Sequence, residues 1–220
     1  MSPSPAPLTS HLLYLHGFRS SPQSAKAVQV AARVREQHPG VVWRCPQLPA
    51  SPSEAARLIR HLTEDWPREG MAVIGSSLGG FYARWLSLQR GCRVALLNPA
   101  PFPQRDLSKY IGEHPVWQNP DEHIFFRAEF VDELTSLAGD IDRLAPRNPA
   151  TPDRLFALVS EKDEVLDLQE MLAFCAGGTV RRLPEGDHAI SDFDQHIDDL
   201  FGFLWPPRSA AARVAAPRGG

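Results

Sequence analysis

Cysteine is scarce in this chain of 220 residues: Cys45, Cys92 and Cys175 are odd in number and widely spaced. That excludes a disulfide framework and offers no zinc cluster. Positive charge is not in excess either, with 23 Lys and Arg against 26 Asp and Glu and a net charge of −3. A free-standing nucleic-acid binder would show the opposite balance. No apolar run approaches the ~18–20 residues that cross a bilayer. The first ten residues lack the basic start and apolar stretch of a secretory signal. A cytoplasmic setting is therefore expected. No Gly-x-Gly-x-x-Gly follows a strand, and no His-x-x-x-His or Cys-x-x-Cys spacing occurs, so neither a dinucleotide nor a metal is expected. Asp187, His188, Asp192, Asp194 and His196 cluster in sequence, but they divide into a loop and an acidic helix N-terminus.

What is present is the make-up of a soluble globular protein, 43% hydrophobic and 22% charged, able to bury a substantial core. Short apolar runs recur at 12–15, 41–43, 71–74, 93–97, 155–159 and 179–183. Bounded by Gly or Pro, they suit strands buried on both faces. Helix patterns separate them. Ser51-Pro52-Ser53-Glu54 offers a cap, a first-turn proline and a capping-box acid. Ala55, Leu58, Ile59, Leu62 and Trp66 then form one apolar stripe. Further helices are expected over 22–37, over 79–89 and from a Ser191 cap through Leu204. Such alternation predicts an α/β fold with a mostly parallel sheet of about six strands flanked by helices.

Residues 101–150 break the rhythm. They show no clear strand, are rich in Pro, His, Asp and aromatics, and allow a helix over 121–137. So long an excursion predicts a small cap or lid inserted in one domain over 11–205. Phe102, Tyr110, Trp117, Phe125, Phe126 and Phe130 are candidates for an acyl pocket or for the lid's own core. Residues 1–10 and 206–220, rich in Pro and small residues, read as disordered tails.

The strongest local signal is Ala72-Val-Ile-Gly75-Ser76-Ser77-Leu78-Gly79-Gly80. An apolar strand runs into Gly-x-Ser-x-Gly and a helix follows, the context of a nucleophile elbow. The frame puts Ser77 at the tip, with Gly75 and Gly79 supplying the small flanks. A serine hydroxyl needs a base, itself oriented by a carboxylate, and on such an elbow they follow in the order acid, then His. His188, in the loop after the last strand, is the candidate base. His196 falls in the final helix, and His114 and His123 lie in the insertion. Asp163 is the candidate acid; Glu161, Glu164 and Asp167 are rivals, with Asp167 also placed to cap a helix. Oxyanion donors are expected from the backbone N–H of Leu78 and, after Gly17 in the first loop, of Phe18. His16 and Arg19 are given no catalytic role.

Together, His16-Gly17-Phe18, Gly75-Ser76-Ser77-Leu78-Gly79-Gly80, Asp163-Glu-Val-Leu-Asp167 and Gly186-Asp-His188 resemble the motifs of the α/β-hydrolase superfamily. More narrowly the chain resembles the YqiA-like (UPF0227) small esterases, from about Leu12 to Leu204. That resemblance implies an α/β-hydrolase fold lacking the usual first two strands, with hydrolysis of small carboxylic esters or acyl thioesters and no cofactor. It also implies Ser77 as nucleophile, Asp163 as acid and His188 as base. The family's usual glycine before that Asp is Lys162 here. Two other readings stay open: a ligand- or partner-binding protein on the same fold, and an amidase or peptidase.

Overall fold

In the computed structural model, which describes residues 9–207, the six apolar runs form one sheet. Chain order is β1 (His11–Leu15), α1 (Ala25–Gln37), β2 (Val42–Arg44), α2 (Pro52–Thr63), β3 (Met71–Ser76), α3 (Leu78–Arg90), β4 (Arg93–Leu97), α4 (Pro103–Asp106), β5 (Gly112–Val116), β6 (Asn119–Phe126), α5 (Glu129–Leu144), β7 (Leu155–Ser160), α6 (Leu168–Phe174), β8 (Thr179–Leu183) and α7 (Ile197–Leu204). The sheet runs β2-β1-β3-β4-β7-β8 with every neighbour parallel. β3, β4 and β7 are buried along their whole length, which is why they read as unbroken apolar runs.

Alternation along the strands divides the core. Leu13, Leu15, Val73, Val94, Leu96 and Ala157 face the layer of α2, α3, α5 and α6. Leu12, Tyr14, Ala72, Ile74, Ala95 and Leu158 face α1 and α7. The order reverses at β1, whose neighbours are β2 and β3, so the crevice at the strands' C-terminal ends opens beside β3. Ser51 caps α2 as expected, its Oγ accepting from the Glu54 N–H at 3.2 Å.

Three expectations change. The segment 101–150 does contain strands: β5 and β6 pair antiparallel with an irregularity at Pro115 and Val116. β6 is largely exposed and polar, β5 is half-buried, and each carries a proline, so neither shows the period-2 apolar signal. The helix expected over 121–137 begins only at Glu129, because Ile124, Phe125 and Phe126 belong to β6. Ser191 does not cap the last helix. Its N–H and hydroxyl both donate to Asp187, and α7 starts at Ile197 after a 3-10 turn over Phe193–Gln195.

The tails expected at 1–10 and 206–220 lie almost wholly outside the described residues. Thr9 is buried and its hydroxyl donates to the Leu204 carbonyl at 2.7 Å; the Ser10 N–H donates to Gly70. Among the described residues no helix is long and apolar enough to cross a membrane, and no three His, Cys, Asp or Glu side chains are grouped as metal ligands.

Candidate active site

Ser77 follows β3 at once, and its backbone sits at φ 55, ψ −120, a region that residues with a Cβ rarely occupy. The surroundings enforce that strain. A Cβ on Gly75 would lie 2.1 Å from the Gly79 carbonyl oxygen, and one on Gly79 would lie 2.0 Å from that of Leu15. Strand and helix can therefore cross this closely only with glycine at both positions. The Ser77 N–H donates to the Leu97 carbonyl and its own carbonyl accepts from Gly80 and Ala100, which pins the turn to β4.

His188 leaves the loop after β8 and meets Ser77 from the side, with Nε2 3.1 Å from Oγ. Its other nitrogen, Nδ1, lies 2.8 Å from Asp163 Oδ2. An ionised carboxylate only accepts, so Nδ1 carries the hydrogen and Nε2 offers its lone pair to the Ser77 hydroxyl. Asp163 is 1% exposed at its side chain, and its Oδ1 accepts from the Val165 and Leu166 N–H groups at 2.8 Å each. The rivals are engaged elsewhere. Glu161 pairs with Arg182, Asp167 caps α6 through the Glu170 N–H, and Glu164 accepts from the His188 N–H at 3.0 Å. Lys162, in place of the family's glycine, leaves this path open: its N–H donates to Gly186 and Asp163 still reaches the imidazole.

The loop after β1 lies over the serine. A Cβ on Gly17 would be 3.2 Å from Ser77 Cβ, so only glycine allows this approach without displacement. Among the described residues the N–H groups of Phe18 and Leu78 donate to no protein acceptor. Leu78 opens α3, whose N-terminal dipole also favours negative charge. The remaining histidines stand apart: His196 pairs with Asp192, His114 bonds the Tyr110 carbonyl, and His123 is exposed on β6.

Three supports were not legible in sequence. His16 is buried, 3% exposed, and its Nε2 accepts from the Leu48 N–H at 3.1 Å. Nδ1–H then donates to the Gly17 carbonyl, which fixes the loop, and burial holds the ring below the ordinary imidazole range, in its neutral form. Asn98, fully buried at φ 42 after β4, binds from both ends of its amide. Its Oδ1 accepts from the Ser160 N–H at 2.8 Å; Nδ2 donates to Ser160 Oγ at 2.9 Å and to the Asp187 and His188 carbonyls at 3.0 and 3.1 Å. The only signal for it was its position at a strand end.

The insertion supplies the third support. The Phe18 ring packs against Tyr110, Phe126 and His114. Arg19 Nε donates to the Pro115 carbonyl at 2.9 Å, its guanidinium stacks over Trp117, and the Trp117 N–H donates back to Arg19. The β5–β6 hairpin thus braces the Gly17 loop. Of the aromatics suggested for an acyl pocket, Trp117 alone lines the cavity beside Ser77; Phe126 and Phe130 are buried in the main core between the sheet and α3 and α5.

Residues 11–205 match the model of the Uncharacterised protein family (UPF0227). The chain belongs to UPF0227. Three solved structures place this UPF0227 member in the α/β-hydrolase fold. A structure from LipS and LipT, two metagenome-derived lipolytic enzymes, is 18% identical with a TM-score of 0.64, covering 90% of this chain and 95% of that one. Alpha/beta hydrolase domain-containing protein 10 from mouse is 18% identical with a TM-score of 0.60, at 89% and 91% coverage. Est1E from Butyrivibrio proteoclasticus is 13% identical with a TM-score of 0.63, at 89% and 86%.

Proposed function

We propose that this UPF0227 chain is a serine hydrolase that cleaves carboxylic esters or acyl thioesters by way of an acyl group carried on Ser77. The observation that supports it is the unbroken hydrogen-bond chain Ser77–His188–Asp163, beside which the Phe18 and Leu78 N–H groups are unengaged among the described residues. The neighbour from two lipolytic enzymes on the same fold adds support.

In this reading His188 Nε2 takes the Ser77 proton as Oγ attacks the carbonyl carbon, and the Phe18 and Leu78 N–H groups hold the resulting oxyanion. Asp163 stabilises the imidazolium. Collapse breaks the bond to the alcohol or thiol, which leaves with the proton from His188. Water then repeats the cycle: His188 takes its proton, the new oxyanion collapses, and Ser77 regains its hydrogen as the carboxylic acid departs. The steps draw on no cofactor.

Hydrolysis of short p-nitrophenyl esters by wild type and Ser77→Ala tests this. Loss of about 10³-fold or more in kcat is expected. Full activity in the variant would overturn the assignment. A folded wild type without turnover would instead favour a ligand-binding protein on this fold.

A further inference from the structure

A cavity of about 430 Å³ opens beside Ser77, between the start of α1, the end of β1 and the loop after His188. Its walls are more polar than an acyl pocket requires: Ser20, Ser24, Lys26, Gln29, Ser76 and Ser191 contribute to them. Building on the hydrolase reading, we propose that this cavity is an anion subsite, which takes a phosphate or carboxylate borne on the alcohol or thiol part of the substrate.

Three observations converge. The N-terminus of α1 opens into the cavity. Ser24 at its cap makes no side-chain bond to the helix, and among the described residues the Ala25 and Lys26 N–H groups donate to no protein acceptor. A 13-residue helix presents partial positive charge there.

The Tyr14 side chain is fully buried in the cavity wall. Its hydroxyl, beside those of Ser24 and Ser76, makes no hydrogen bond of ordinary geometry. A buried hydroxyl left in this state is open to an acceptor that enters beside Ser24 and Ser76.

Lys26 is a cation with no carboxylate in direct contact among the described residues; its Nζ donates to the Ala189 carbonyl. The two nearest acids are committed elsewhere: Asp163 to His188, Val165 and Leu166, and Asp187 to Ser191. Burial pushes the ammonium down to about 8, against the smaller opposing pull of Asp187 and Asp163. An anion in the cavity would give the ammonium the direct partner that neither carboxylate provides.

Chemistry decides which half of the substrate the cavity receives. The leaving atom must take its proton from His188 Nε2. His188 and the three residues after it, Ala189 to Ser191, form one wall of the cavity. The departing alcohol or thiol therefore projects into it, and the acyl chain lies away from it.

The test compares kcat/KM for ethyl butyrate, 2-phosphoethyl butyrate, carboxymethyl butyrate and monoethyl glutarate, the last carrying its anion on the acyl side. Preference for one or both alcohol-side anions over ethyl butyrate by about tenfold or more is expected, with none for monoethyl glutarate. Which of the two is preferred separates phosphate from carboxylate. The ratio to ethyl butyrate falls towards one in Lys26→Met and falls in Tyr14→Phe. Using the ratio cancels any general damage to the His188 loop. No preference, a preference that survives both substitutions, or a preference for monoethyl glutarate would overturn the proposal. Failure of the hydrolase reading looks different, since none of the four esters would then be cleaved. Binding of inorganic phosphate and of acetate, measured by calorimetry in wild type and Lys26→Met, then decides the subsite alone. Binding of either lost in the variant supports it, and equal binding in the variant, or none of either anion in wild type, overturns it.

Discussion

Asn98→Asp is the sharpest perturbation of the scaffold behind the candidate triad. The two side chains are nearly isosteric and both tolerate a positive φ, so neither a cavity nor backbone strain is introduced at φ 42. The acceptor facing the Ser160 N–H is retained. What is lost is the donor. A carboxylate oxygen would face the Asp187 and His188 carbonyls at the 3.0 and 3.1 Å now spanned by N–H···O bonds. Ser160 Oγ can turn and donate; the two carbonyls cannot. Each unmet buried group costs about 1–3 kcal/mol, so a destabilisation of about 2–6 kcal/mol is expected by urea unfolding at pH 8. Burial and the two carbonyls raise the pKa of the introduced carboxyl. The deficit is therefore largest above that raised value and shrinks as pH falls through it. Because the His188 carbonyl moves, ester turnover should also fall, by about 10²-fold for a displacement near 1 Å. Unfolding free energy within about 0.5 kcal/mol of wild type, with unchanged turnover, would refute the role given to Asn98.

Other outcomes follow from the same geometry. Gly79→Ala drives a Cβ into the Leu15 backbone and should cost about 3 kcal/mol or more, or prevent folding. Gly139→Ala in α5, where a Cβ meets nothing within 4 Å, should stabilise by up to ~1 kcal/mol; equal urea midpoints for the two variants would contradict this. His16 is held below the ordinary 6.5 by burial, so the unfolded chain takes up a proton the native state resists, and stability is lost as pH falls below that value. His16→Gln should shrink the drop in urea midpoint between pH 7.5 and 5.5, and an undiminished drop would count against it. Lys26 sits at about 8, with Asp163, Asp187 and His188 the titratable groups facing it. The preference for anionic over neutral esters should therefore decline as pH rises through 8, whereas a constant ratio from pH 7 to 9.5 would argue against the ammonium as the anion's partner.

The central strands β3, β4 and β7 were legible because they are buried on both faces, which leaves runs such as 155–159 with no polar interruption to confuse the period. The edge strands β2 and β8 are largely exposed, against the expectation of burial on both faces. The elbow was legible because the strained turn demands small residues at fixed positions around Ser77. Exposure hid the rest. In β6 most side chains face water, and half-buried β5 is interrupted by Gly112, His114 and Pro115, so nothing in their pattern separates strand from loop. Long-range polar contacts were hidden for another reason. That Asn98 reaches the His188 carbonyl, 90 positions away, or that His16 reaches Leu48, depends on strand order rather than local pattern. Ser191 misled because a serine ahead of an acidic stretch is a good cap, yet Asp187 claimed both its donors.

The account rests on Ser77 being an activated nucleophile. Labelling the purified, folded protein with a fluorophosphonate and locating the modified peptide by mass spectrometry tests that directly. One adduct, on Ser77, absent when His188→Ala removes the base, is the expected result. A folded protein that takes no label, or takes it elsewhere, would contradict the account.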